Sequence, residues 1–211
     1  MNKKYHISKS ILLIAIAFLV VSCKNKTHKN VTVNKDTIRN VVYKTTGYIE
    51  RLDSEINTII PEGATIEILS DTLVWAEGPL WIAEKKWLLC SDVKENKIFK
   101  WSEQKGMELY LNNAGFQGDQ TNSRERGSNG LTLDNQGKLT ICQHGNRQVV
   151  QLNSTLDNPT TDFKVLASHF NEKRFNSPND LVFDSQGNLY FTDPPYGLSE
   201  AMMDDLSLIH I

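Results

Sequence analysis

From residue 77 onward, apolar and polar positions alternate in short runs, and the runs come in pairs. LTLD (131–134) and KLTIC (138–142) flank the turn NQG, and LVFD (181–184) and NLYFT (188–192) flank SQG. A period of two marks strands with one buried face, and a polar turn closed by glycine between two such runs predicts a hairpin, because glycine supplies the positive φ the turn needs. NKIFKW (96–101), MELYL (107–111), RQVVQLN (147–153) and FKVLAS (163–168) predict two further strands per unit. No helical period separates them, so the fold class is all-β.

The units are copies. SNGLTLDNQGKLTICQHGN (128–146) lies over PNDLVFDSQGNLYFTDPPY (178–196) without a gap, placing Asn129 on Asn179, Asp134 on Asp184 and Gly137 on Gly187. A frame of fifty-two residues brings in EGPLWIAEKKWLLCSD (77–92), with Glu77 on Asn129, Gly78 on Gly130 and Cys90 on Cys142. Four short strands in a unit of about fifty residues is the pattern of a β-propeller blade. The first strand of a blade lines the central channel, so the residue opening it sits at the channel mouth. Glu77, Asn129 and Asn179 hold that place in three successive blades, and oxygen-bearing side chains converging on one axis suit a hard divalent cation such as calcium.

The segment after each second strand returns to the same rim: Asp92–Val93, QHGNR (143–147) and DPPYG (193–197). His144 there is either a proton carrier, a substrate contact or a structural hydrogen-bonder, and Asp193 and Tyr196 are similarly open. Candidate catalytic groups are thus His144 and Asp193, candidate substrate contacts Asn129, Arg147 and Tyr196, and candidate metal ligands Glu77 and Asn179.

Composition changes the picture little. The 211 residues carry 39% apolar side chains and a formal charge of −2. With no basic run interleaved with aromatics, nucleic acid is not an expected partner. The amino terminus adds more. Lys3, Lys4 and Lys9 precede an apolar core from Ile11 to Val21, which reads as a secretory signal over residues 1–22. VVSC, ending at Cys23, resembles a bacterial lipobox, so lipidation of Cys23 and an exported, membrane-anchored protein in the periplasm or on the cell surface are expected. Residues 23–60, the lipidated cysteine and a polar stretch, read as a tether. Cys90 and Cys142 occupy equivalent places in neighbouring units, too far apart for a bridge, and read as buried free thiols.

EGPLW, SNGLTLDNQGKLTICQHGNRQV and above all RFNSPNDLVFDSQGNLYFTDPPYG closely resemble the gluconolactonase branch of the senescence marker protein/gluconolactonase family, over roughly residues 65–198. The resemblance implies a six-bladed β-propeller, of which about the first two and a half blades are present over residues 61–205. It implies a metal-dependent lactone hydrolase opening a sugar lactone to an aldonic acid, with calcium, zinc or magnesium on the axis. It assigns metal to Glu77 and Asn179 and substrate to Asn129. The remaining family ligands, an asparagine and an aspartate of later blades, have no counterpart here. The last six residues, LSLIHI (206–211), translate a transposon end used in sequencing adapters, so the chain reads as a fragment without lactonase activity of its own. Another propeller esterase or phosphotriesterase, or a non-catalytic ligand-binding propeller, is the alternative reading on the same scaffold.

Overall fold

A computed structural model of the chain describes residues 42–118 and 124–199. The expected signal sequence, Cys23 and the 206–211 tail lie outside them. In order, the strands are β1 (Lys44–Thr45), β2 (Glu67–Ile68), β3 (Ala76–Ile82), β4 (Trp87–Asp92), β5 (Lys97–Ser102), β6 (Gly106–Asn112) and β7 (Ser128–Leu133). They continue with β8 (Leu139–Gln143), β9 (Gln148–Leu152), β10 (Phe163–Ala167), β11 (His169–Phe170), β12 (Lys173–Arg174), β13 (Leu181–Phe183) and β14 (Leu189–Phe191). Two four-stranded antiparallel meanders, β3-β4-β5-β6 and β7-β8-β9-β10, are followed by the short β11-β12 and β13-β14 hairpins. This is an all-β, propeller-like arrangement.

The hairpin turns repeat to the atom. Asp134 Oδ1 accepts the backbone N–H groups of Gln136 and Lys138, both at 2.8 Å. Fifty residues on, Asp184 Oδ1 accepts those of Gln186 at 2.9 Å and Asn188 at 2.8 Å. Gly137 and Gly187 take φ of 77° and 85°, where a β-carbon would be strained.

Inward positions of the first two sheets share one core. Leu89, Ile98 and Leu111 of the first pack with Leu131, Ile141 and Val150 of the second. A smaller cluster of Cys142, Val149 and Leu181 joins the second sheet to the β13-β14 hairpin. Cys90 and Cys142 are buried free thiols, and burial pushes the Cys90 thiol up to about 11 and that of Cys142 higher still. Neither is a thiolate at neutral pH.

The segment expected to be a tether has local order within residues 42–60. β1 pairs with β2, and Asp53 caps a 3₁₀ turn over Ser54–Thr58. Arg51 ties this region together by donating to Asn57 Oδ1, Ile60 O and Pro61 O. The run TIEILSD (65–71) forms a strand only over Glu67–Ile68, where it pairs with β1.

Candidate functional site

The three opening residues are brought together by backbone approach. Gly130 N–H donates to Asn179 O at 2.7 Å, linking β7 to the segment that enters β13 two residues later. A β-carbon on Gly130 would lie 2.6 Å from that oxygen, and one on Gly78 would lie 2.2 Å from Asn129 O. Glycine at each place lets successive inner strands approach more closely than a side chain permits. The ladder is irregular at the same point in both sheets, between Glu77 and Leu80 and between Ser128 and Leu131. Such a bulge re-aims the side chain beside it. Ser91 Oγ secures the join by donating to Asn129 O at 2.8 Å.

A cleft of about 580 Å³ opens above these strands, lined by Glu77, Asn129 and Asn179 together with Trp75, Lys94, Arg124, Glu125, Pro195 and Tyr196. Glu77 Oε1 accepts from the Trp75 indole N–H at 3.1 Å. Lys94 Nζ stands 5.3 Å from the centre of the Trp75 ring and 4.0 Å from Glu125 Oε1. Glu125 Oε2 meets His144 Nδ1 at 3.2 Å. Burial holds the Glu125 carboxyl above its ordinary range, Lys94 opposes that shift and the Glu77 carboxylate adds to it.

Of the residues singled out in the sequence, Glu77, Asn129, Asn179 and Tyr196 share this cleft. His144 lies behind it, fully buried, touching Glu125, and burial pushes its imidazole down to about 4. Arg147 and Asp193 are outside the lining. Arg147 Nε donates to Phe175 O at 2.6 Å and Asn176 O at 3.2 Å. Asp193 Oδ2 accepts from Asn176 N–H at 2.7 Å, and burial holds its carboxyl high. Asp92 does the same in the first sheet, accepting from the N–H groups of Val74 and Trp75 at 2.8 and 3.2 Å. Both aspartates anchor the backbone that leads into a cleft residue, Glu77 in one case and Asn179 in the other.

Trp75, Lys94, Arg124 and Glu125 were not foreseen. Each lies just outside the superposable repeat, so the fifty-residue period carries no signal for them. The charged RER (124–126), one glycine before SNG, was the available clue, since such charge beside an inner strand has no core to face.

The donor chemistry fits a hard cation. Glu77 offers a carboxylate, Asn129 and Asn179 offer amide oxygens, and among the described residues no group of three or more His, Cys, Asp and Glu side chains could hold a metal. An all-oxygen set is what calcium or magnesium takes, whereas zinc favours imidazole and thiolate.

Residues 75–210 match the family described as SMP-30/Gluconolactonase/LRE-like region. A gluconolactonase of Zymomonas mobilis subsp. mobilis (strain ATCC 31821 / ZM4 / CP4) is 34% identical over 164 residues, 77% of this chain and 45% of that protein. XC5397 from Xanthomonas campestris, described as a gluconolactonase important in glucose secondary metabolic pathways, superposes with a TM-score of 0.58 at 25% identity. The superposition covers 76% of this chain and 47% of that one. The X-ray structure of the structural-genomics target DrR130 gives a TM-score of 0.57 at 28% identity over 69% and 46% of the two chains. The chain spans less than half the length of these relatives, and on the extent of the family match it belongs to the SMP-30/gluconolactonase/LRE-like family.

Proposed function

We propose that the chain supplies part of the active site of a metal-dependent lactonase that opens a sugar lactone to an aldonic acid. The observation that carries this reading is the convergence of Glu77, Asn129 and Asn179 on one cleft, enforced by Gly78 and Gly130. Glu77 and Asn179 would hold a calcium-like cation, which would supply polarisation of the lactone carbonyl and stabilisation of the negative charge on its oxygen as water adds. Trp75 fixes the Glu77 carboxylate by its indole N–H. Asn129, nearly buried, offers an amide to the substrate, and Tyr196, largely exposed on a loop stiffened by Pro194 and Pro195, forms the outer wall. The kinship with gluconolactonases of Zymomonas mobilis and Xanthomonas campestris supports lactone hydrolysis as the reaction class.

The reading includes a six-bladed ring in which further blades complete the wall of the site, so that the 211-residue chain alone turns over no lactone. The test is hydrolysis of glucono-δ-lactone above its spontaneous rate by the full-length product of the locus and by the 211-residue chain. The long product is expected to be active, to lose activity to a calcium chelator, and to bind calcium at least tenfold more weakly as Glu77→Gln. Absence of lactone turnover by the long product, or a preference for phosphotriesters, overturns the reaction, and turnover by the short chain overturns its dependence on the ring.

A further inference from the structure

The second carboxylate of the cleft, Glu125, is held more firmly than a loop residue needs to be. Its neighbours are pinned on both sides: Arg124 N–H donates to Gly197 O and Gly127 N–H to Val93 O, each at 2.9 Å. Its side chain keeps 16% exposure and so still presents oxygen to the cleft. Behind it the His144 imidazole is sealed. His144 N–H donates to Gly127 O at 3.1 Å, and a β-carbon on Gly197 would stand 3.3 Å from His144 Cβ.

Nδ1 faces Glu125 Oε2, while Nε2 is buried with no hydrogen-bond partner among the described residues. A carboxylate only accepts, so the tautomer that carries its proton on Nδ1 satisfies both facts: it donates to Glu125 and leaves a bare lone pair at Nε2. A second proton would sit on a buried N–H with no acceptor, in keeping with an imidazole pushed down to about 4. Burying a polar ring with one nitrogen unpaired is costly, and its contact with Glu125 is what offsets that cost.

The surroundings indicate what the carboxylate is held for. Oε1 faces the Lys94 ammonium, an unfavourable neighbour for a metal ion, so Glu125 is separate from the Glu77 and Asn179 pair. Around it Trp75 and Tyr196 present large exposed ring area to the same cleft, 47% and 63% exposed. An acceptor-only group in a cleft that two aromatic side chains also line suits a ligand with both hydroxyl donors and C–H faces, which is the surface of a sugar ring.

We propose that Glu125 accepts hydrogen bonds from the ring hydroxyls of a polyhydroxylated lactone, and that His144, acting through Nδ1, is the positioning residue that holds it there. The assignment rests on the lactonase reading for its substrate, and it makes Glu125 the residue that separates sugar lactones from bare ones. A site built to bond a hydroxyl strongly disfavours the analogue that lacks it.

The test uses the full-length product of the locus, as wild type, Glu125→Gln, His144→Asn and His144→Leu. Steady-state kinetics on glucono-δ-lactone and δ-valerolactone are combined with calorimetric binding of 1,5-anhydro-D-glucitol, the sugar ring without its carbonyl. Glu125→Gln is expected to lower kcat/KM for gluconolactone about tenfold or more, chiefly through KM, consistent with a charge-assisted hydrogen bond, and to weaken anhydroglucitol to match. Turnover of valerolactone stays within about twofold. His144→Leu reproduces this pattern, and His144→Asn, whose amide nitrogen stands near the place of Nδ1, restores most of the wild-type KM. Equal losses on both lactones, or unchanged KM and anhydroglucitol binding in Glu125→Gln, overturn the proposal. Equal defects in His144→Asn and His144→Leu overturn the positioning role. If wild type hydrolyses neither lactone while anhydroglucitol binding still depends on Glu125, lactone hydrolysis fails and the hydroxyl-binding carboxylate stands.

Discussion

A histidine buried as a neutral ring is a liability in acid, and His144 is the residue where that liability is concentrated. Its imidazole is depressed by burial from an ordinary 6.5 to about 4. Protonation therefore favours the unfolded chain, in which the ring takes its ordinary value. The stability it confers is complete above about pH 6.5 and is lost progressively as pH falls toward 4, with a total on the order of 3 kcal/mol. Glu125 runs the other way: its carboxyl is held high by burial, so its contribution is complete below the ordinary carboxyl value and is lost as pH rises through the folded one. Replacing His144 isolates the first effect. Urea denaturation at pH 7.5 and pH 4.5 should show a smaller drop in stability for His144→Asn than for wild type, by about 2 to 3 kcal/mol. An identical drop in the two proteins would mean that His144 is protonated in the folded state.

At the scale of strands and turns, two kinds of glycine do different work, and the repeat made both visible. Gly137 and Gly187 recur because the turn demands positive φ, and open space surrounds a β-carbon placed on Gly137. Gly78 and Gly130 recur because the inner strands touch there. Ala at Gly137 is expected to cost about 1 kcal/mol, the strain of a left-handed residue. Ala at Gly130 is expected to cost about 3 kcal/mol, because backbone atoms of Asn179 and Asp180 have to retreat, and to weaken cation binding by displacing Asn179 from its place beside Glu77. Denaturant midpoints and calcium calorimetry on the two variants check the contrast, and equal losses of stability would count against close approach as the reason for Gly130. The sequence made the strands, the hairpin turns and the Glu77, Asn129 and Asn179 set legible, because each is fixed by a local period or by a position in the repeat. Glu125 and Lys94 were not legible: their place depends on which backbone amides pin the loop they stand on, a contact between units that no period encodes. The scaffold contacts of Asp193 and Arg147 were hidden for the same reason, since a charged residue on a rim segment reads alike whether it faces the cleft or the backbone.

At the scale of the whole molecule, stability comes from faces packed between units, as in other repeat architectures where each unit contacts its neighbours. The β7 to β10 sheet has a neighbour on both sides, and its residues Ile141, Cys142, Val149 and Val150 are completely buried. The outer faces differ. Trp81 on β3 is 52% exposed, and Val182 and Tyr190, paired across the β13-β14 hairpin, are each 58% exposed. In the six-bladed ring proposed above an adjoining blade would pack on these side chains, and covering Trp81 alone would contribute roughly 1.5 to 3 kcal/mol. Trp81 would then lie between two sheets, whereas in the 211-residue chain it meets solvent. Hydroxyl-radical footprinting, read residue by residue by mass spectrometry, should oxidise Trp81 several-fold faster in the short chain than in the full-length product. Equal oxidation in the two proteins would show that no blade packs on β3, and with it the six-bladed ring would fall.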